Sequence, residues 1–398
     1  MIDMCFLNKY IFSPVSIKLF TVGINFFSNV LINRYLGLAL KGQYTLILNY
    51  ANFLQLFLNL GICYAYPMLI NKEGEDSKKT AVTIIWLQTI VFIFCSIIAL
   101  LISPNITMLM IVLLSTVMIC NSQITFLALI DDIKRRNFVI LSSSVLFLIC
   151  NFICYFVAPG FIYVTVLLLF FRCLYEIIVL TKNNKYAFFS FHYIDKKRII
   201  STLKVGLPTS VLAILISCNY NIDIFLLDWM NCGDTQIGIY GVAFSLSNML
   251  WIVPDAFKEL IYHKSTREDN YNFVMKCIFA NMLLCFVITF AFCFLGKWFL
   301  GIVYGQEYTV AFDVSLVLFC GVIPMVAFKL IHPIYVNKGR ASVVLILLFI
   351  AVVSNIASSL FLIPRYGSLG AAAASVISYT ICGILFYLKF KKDYCRCI

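Results

Sequence analysis

Residues 219–240 read NYNIDIFLLDWMNCGDTQIGIY, and two features of this stretch decide how the chain folds. Asp223 stands inside a predominantly apolar run from Leu203 to Trp229. At about 1.5 Å per helical residue, such a run crosses a hydrocarbon layer about 30 Å thick. Just beyond it, Gly233, Gly238 and Tyr240 form a Gly-x4-Gly-x-Tyr pattern that also occurs at Gly37, Gly42 and Tyr44. A carboxylate near the centre of a membrane helix costs about 2.5–3.5 kcal/mol on insertion scales. Asp223 is therefore expected to face the interior of a helix bundle, not lipid.

Working outward, the 398 residues are 62% hydrophobic and 12% charged, more apolar surface than one soluble core can hide. Twelve apolar blocks are long enough to span: 11–32, 44–70, 81–102, 106–130, 138–158, 161–181, 203–229, 236–262, 273–295, 310–336, 342–363 and 368–388. The longest polar gap, 182–202, leaves no room for a soluble catalytic or nucleotide-binding domain. The N-terminal MIDMCFLNKYIFSPVS lacks the charged region and small-residue cleavage site of a removable signal peptide.

The net charge of +12 is distributed by position. Alternate gaps, counted from the N-terminus, carry twenty Lys and Arg; the opposite gaps carry only Arg34, Lys41, Lys297 and Arg365. The positive-inside rule then puts both termini in the cytoplasm and requires an even number of spans. Charge spread over short loops does not make a nucleic-acid surface.

The sixteen cysteines show no CxxC spacing, and His192, His263 and His332 are far apart, so neither a metal site nor a disulfide framework is expected. The terminal CRCI fits C-a-a-X only formally, with Arg396 at an aliphatic position. Asn105-Ile-Thr107 is a glycosylation sequon on an outward gap.

The two glycine patterns belong to a wider repeat. Asn25, Leu31, Asn52 and Leu54 return as Asn221, Leu227, Asn248 and Leu250 at the same offset. Two halves of six spans insert with the same orientation, so a pseudo-two-fold axis along the membrane normal is expected to relate them. The halves are 1–181 and 203–398, joined by 182–202. Pro208 is expected to open the seventh span, with Pro254 and Pro324 kinking the eighth and tenth.

Several segments together resemble one family. LKVGLPTS (203–210), NIDIFLLD (221–228) and GIYGVAFSLSNMLWIVP (238–254) resemble the second-half opening of flippases that move lipid-linked polysaccharide repeat units of O-antigen and capsule. IVYGQEYTVAFDV (302–314), VNKGRA (336–341), LIPRYGSLGAAAASVISY (362–379) and RYLGLALKGQYTLI (34–47) are similar to the same family in order and spacing. The resemblance implies an all-α integral membrane protein of about twelve transmembrane helices in two six-helix lobes, MATE-like, around a central cavity. It implies a cargo of oligosaccharide on a polyprenyl diphosphate, turned from the cytoplasmic to the outer leaflet of a bacterial plasma membrane. Membrane lipid, a polysaccharide polymerase and chain-length machinery are the further partners it implies. It requires no cofactor and brings no catalytic residue.

Six basic residues fall within spans. Lys204 and Lys276 are near cytoplasmic ends and can snorkel. Lys258 is expected to pair with Asp255, and Arg172 with Glu176, each within one helix. Lys18 and Lys329 have no local partner and are expected to meet the diphosphate. Arg172 and the repeat-matched Asn25 and Asn221 are further candidates for lining the substrate cavity. Asp223 matches the family's I-D-x-x-x-L pattern; either it is held by a neighbouring span or it lines the cavity as an ion-coupling group. A cation-coupled multidrug or lipid exporter of the same fold is the competing reading. A membrane-embedded polymerase or glycosyltransferase is a third, but the outward gaps SPN, APG and MNCGDTQ leave little room for its external site.

Overall fold

The computed structural model describes residues 4–63, 66, 75–102, 105–182, 186, 189–193, 196–265 and 271–394. Lys72, Lys185, Arg267 and the CRCI terminus lie outside them. Eleven α-helices form among the described residues: α1 Met4–Leu58, α2 Glu75–Ile102, α3 Ile106–Asp131, α4 Ile133–Val157, α5 Ile162–Thr181, α6 Lys196–Trp229, α7 Asp234–Leu250, α8 Ile252–Ser265, α9 Tyr271–Val303, α10 Phe312–Asn337 and α11 Ala341–Tyr394. Backbone groups in hydrocarbon must be satisfied within their own segment, which is why apolar blocks become helices.

The predicted blocks lie on these helices with three differences of detail. The helix α1 carries the first block and the second as far as Leu58, α11 carries the last two, and the eighth is divided between α7 and α8 at Trp251. Pro254 accounts for that division, because its ring nitrogen cannot donate to the carbonyl one turn back. Pro208 does not open the seventh span. It lies inside α6, which starts at Lys196.

The chain forms two compact units, Met1–Leu36 with Ile47–Ala213 and Gly37–Leu46 with Ile214–Ile398. In the first unit, Ala81, Val82 and Ile85 of α2 pack with Val117, Ile124 and Leu127 of α3 and Ile177 and Leu180 of α5. Tyr186, in the polar segment after α5, joins this core. Tyr186 is 3% exposed, its carbonyl accepts from Trp86 Nε1 at 2.8 Å, and its hydroxyl donates to Asp131 Oδ2 at 3.0 Å. Burial and the neighbouring Asp131 carboxylate raise the Tyr186 phenol's pKa, which keeps it a donor. Lys78 completes the cluster with a 2.8 Å ion pair to the same carboxylate.

The second unit is built on α10, which is buried on nearly every side. Its neighbour α9 exposes Phe279, Phe286, Phe290 and Phe294 along one stripe, the face suited to acyl chains. The two blocks of α11 fold back on each other at Gly367, whose backbone (φ 56°, ψ −129°) leaves the helical region. They touch so closely that a Cβ on Gly370 would collide with the Leu362 carbonyl oxygen.

The repeated glycine pattern also has a structural meaning. Gly37 (φ 72°, ψ 171°) and Gly233 (φ 87°, ψ 152°) share a conformation that is essentially closed to residues with a Cβ. Each starts a helical segment, and the two segments cross at the second glycines. A Cβ on Gly42 would collide with the Asp234 carbonyl oxygen, and one on Gly238 would collide with that of Leu38. Leu38 and Asp234 are themselves repeat mates, so the contact is reciprocal.

Candidate functional site

Asp223 is completely buried in the second unit. Its place on α6 turns it toward α7 and both limbs of α11. Tyr240 donates to Oδ2 at 2.9 Å, Ser375 to Oδ2 at 2.5 Å and Ser359 to Oδ1 at 3.0 Å, with the Asn355 amide 3.4 Å from Oδ2. Ser359 and Ser375 are equidistant from Gly367 along the chain, so the fold-back of α11 is what brings them together. Asn219, one turn earlier on α6, accepts from Ser378 at 2.6 Å and extends the network.

No cation pairs with Asp223 among the described residues. The carboxylate is held only by neutral hydroxyl and amide dipoles, so its charge is solvated but not cancelled. Such a site can accept a proton, or a small monovalent cation that shares the same oxygens. No group of three or more His, Cys, Asp or Glu side chains converges among the described residues, so there is no multi-carboxylate cage.

Lys329 of α10 belongs to a second polar centre in this unit. It was expected to be without a partner, yet its ammonium is 2.9 Å from Asp255 Oδ1 and 4.6 Å from the centre of the Trp251 ring. This pairing replaces the expected Asp255–Lys258 pair, because α10 supplies a partner that local spacing cannot reveal. Tyr220 and Tyr379 pack against Trp251 at 5.6 and 6.2 Å between ring centres, forming an aromatic layer.

In the first unit Arg172 and Asn25 do meet: Arg172 Nη1 donates to Asn25 Oδ1 at 3.1 Å and Nη2 to Ser144 at 2.9 Å. Arg172 also pairs with Glu176 at 3.4 Å, as its spacing led us to expect. Glu176 in turn accepts from Ser143 at 2.5 Å and from Asn121 at 2.8 Å. A cavity of about 210 Å³ borders Arg172, Ser143 and Phe147.

The remaining candidates stand apart. Among the described residues Asn221 bonds only within its own helix, to Ser217, and is not joined to Asp223. Lys18 lies on an exposed face of α1, as Lys204 and Lys276 do on theirs. The polar partners of Asp223 were missed by sequence reasoning. Their signal was the one-turn spacing of Asn355 and Ser359, and the pair Ser375 and Ser378, in otherwise apolar helices.

Residues 7–253 match the model of a family described as polysaccharide biosynthesis protein. The chain belongs to that family. No curated protein matches it. Among solved structures, the lipid II flippase MurJ in an inward closed conformation is similar at a TM-score of 0.78 and 16% identity, over 96% of this chain and 89% of that one. An inward-facing multidrug resistance MATE family transporter of the MOP superfamily is similar at 0.69 and 13%, over 94% and 95%. A point mutant of the Vibrio cholerae MATE transporter VcmN is similar at 0.58 and 14%, over 98% and 97%. Identities this low show the fold alone. This polysaccharide biosynthesis protein is therefore an all-α, multi-pass membrane protein with a MATE-like transporter fold.

Proposed function

We propose that the chain is a flippase that moves polyprenyl-diphosphate-linked oligosaccharide repeat units to the outer leaflet of a bacterial plasma membrane by alternating access. Membership of the polysaccharide biosynthesis family, on a transporter fold, is the observation that carries this reading. Both termini would be cytoplasmic, with lobes 1–181 and 203–398, and the product would feed O-antigen or capsule assembly by a polymerase and its chain-length partner.

Arg172, held by Asn25 beside a cavity, would recognise phosphate or sugar oxygens through its planar fork. Lys18 and Lys329 would add cationic contacts near the cytoplasmic side, Lys329 by exchanging Asp255 for the diphosphate. Asn221 would offer an amide to sugar hydroxyls. Asp223 would couple transport to a proton or monovalent cation, because neutralising a buried carboxylate changes the stability of the network around it.

The test is a clean deletion in a strain without a second flippase. The expected result is lipid-linked repeat units retained on the cytoplasmic leaflet while the glycosyltransferases keep working; normal surface polysaccharide overturns the reading. A cation-coupled exporter would use the same lone carboxylate. It is separated by drug accumulation in the deletion strain with surface polysaccharide unchanged.

A further inference from the structure

Lys41 falls in a predicted outer gap, yet it is 3% exposed. Its ammonium sits 5.0 Å from the centre of the Tyr44 ring, and among the described residues no carboxylate pairs with it. An aromatic face offsets only part of the hydration such a charge has lost.

Packing does not call for a lysine at this position. The repeat mate of Lys41 is Ile237, 1% exposed, in the equivalent slot of the reciprocal Gly42–Gly238 crossing. An aliphatic side chain fills that slot in one segment, so the ammonium in the other is an addition the fold does not need. Beyond the glycine contact, the crossing has a hydrogen bond on its exposed edge, from Gln43 Nε2 to Asp234 Oδ2 at 2.8 Å.

We propose that Lys41, buried here next to the Gly42–Gly238 crossing, is a contact for the phosphate oxygens of the lipid-linked cargo, presented on the outer side when that crossing parts. The inference rests on the flippase reading and on the outward placement of residues 33–43. A compact ammonium without a counter-ion gains most from a ligand that carries its own negative charge, and a diphosphate presents several charged oxygens to its three donors. Phospholipid headgroups share this chemistry; the cargo is favoured because burial removes Lys41 from the resident bilayer until the transporter moves.

The experiment reconstitutes full-length wild type, Lys41→Met and Lys41→Arg in phosphatidylcholine vesicles and measures flipping of a polyprenyl-diphosphate oligosaccharide. Lys41→Met should fold as stably as wild type, since Ile237 shows the slot accepts an apolar chain. Its flipping kcat should fall about tenfold with KM within about twofold, because the contact forms after loading, and Lys41→Arg should keep at least about half of the wild-type rate. Unchanged kcat in Lys41→Met, or a fall matched by lost thermal stability, overturns the inference. A second arm adds phosphatidylglycerol. Inhibition of wild type that disappears in Lys41→Met would assign the site to headgroups and overturn the cargo assignment. Wild type that flips no lipid-linked oligosaccharide at all would sink the flippase reading itself, a result distinct from any of these.

Discussion

Residues 37–46 and 233–242 start with glycines in the same backbone conformation and cross at equivalent glycines, but they bury different chemistry. In the second segment Tyr240 reaches across to the Asp223 carboxylate and Ile237 fills a slot with hydrocarbon. In the first, Lys41 fills the equivalent slot with a charge. The shared features are those that backbone geometry enforces: a conformation only glycine tolerates and an approach only glycine permits. The features that differ carry charge and hydrogen bonding. The two repeat segments share the frame and take separate polar roles.

The largest effect should come from the shared frame. Gly42→Leu and Gly238→Leu each drive a side chain into a backbone carbonyl, which no rotamer relieves, and each should reduce inserted, monodisperse protein by about tenfold or more. Size-exclusion profiles of detergent extracts measure this. Tolerance of one change but not the other would break the equivalence of the two segments.

Next is the ion-coupling role proposed for Asp223. Asp223→Asn keeps the shape and leaves the surrounding hydroxyls free to turn, so the protein should accumulate normally. Flipping driven by an imposed proton or sodium gradient should fall to the rate seen without a gradient. Gradient dependence surviving in the Asn variant removes the coupling role and leaves Asp223 a structural residue.

A smaller effect should separate another pair of repeat mates. Asn25 is bonded to Arg172, whereas among the described residues Asn221 is bonded only within its own helix. Asn25→Ala should cost about 1–2 kcal/mol with most of it lost in an Arg172→Ala background, as expected for a hydrogen bond to a charged group. Asn221→Ala should stay within about 0.5 kcal/mol, and a double-mutant cycle on thermal stability measures both. Equal costs would mean the mates still play one role.

The smallest change is at the exposed edge of the crossing. Gln43→Leu removes one solvent-accessible hydrogen bond to Asp234 and should cost no more than about 1 kcal/mol. A loss as large as that from Gly42→Leu would show that this bond, and not the glycine contact, holds the segments together.

Much of the fold was legible before any coordinates. Hydrophobic length located the spans, the Gly-x4-Gly-x-Tyr repeat marked two equivalent segments, and insertion cost put Asp223 inside the bundle. The candidate site was legible only in part. Arg172, Glu176 and Asp223 betray themselves by standing charged among apolar neighbours, but serines and asparagines are cheap enough in a helix to pass as ordinary packing. Ser359 and Ser375 matter because a fold-back at Gly367 sets them on opposite sides of one carboxylate, and no periodicity in a uniformly apolar run reports that.

By itself, then, the amino-acid order determined which segments are apolar and long enough to cross a membrane, where the glycine pattern repeats, and which charges cannot face lipid. The spans and the charges follow from the local energetics of transfer into hydrocarbon; that the repeated glycines admit no Cβ was decided by the backbone conformation and the close crossing seen in the structure. Only the tertiary structure decided that Lys329 meets Asp255, that Arg172 holds Asn25, and that Lys41, counted among outer-gap charges, is buried. In a membrane span the lipid-facing and core-facing sides are both apolar, so hydropathy does not say which face is covered. Partners far apart in the chain are chosen by how helices pack.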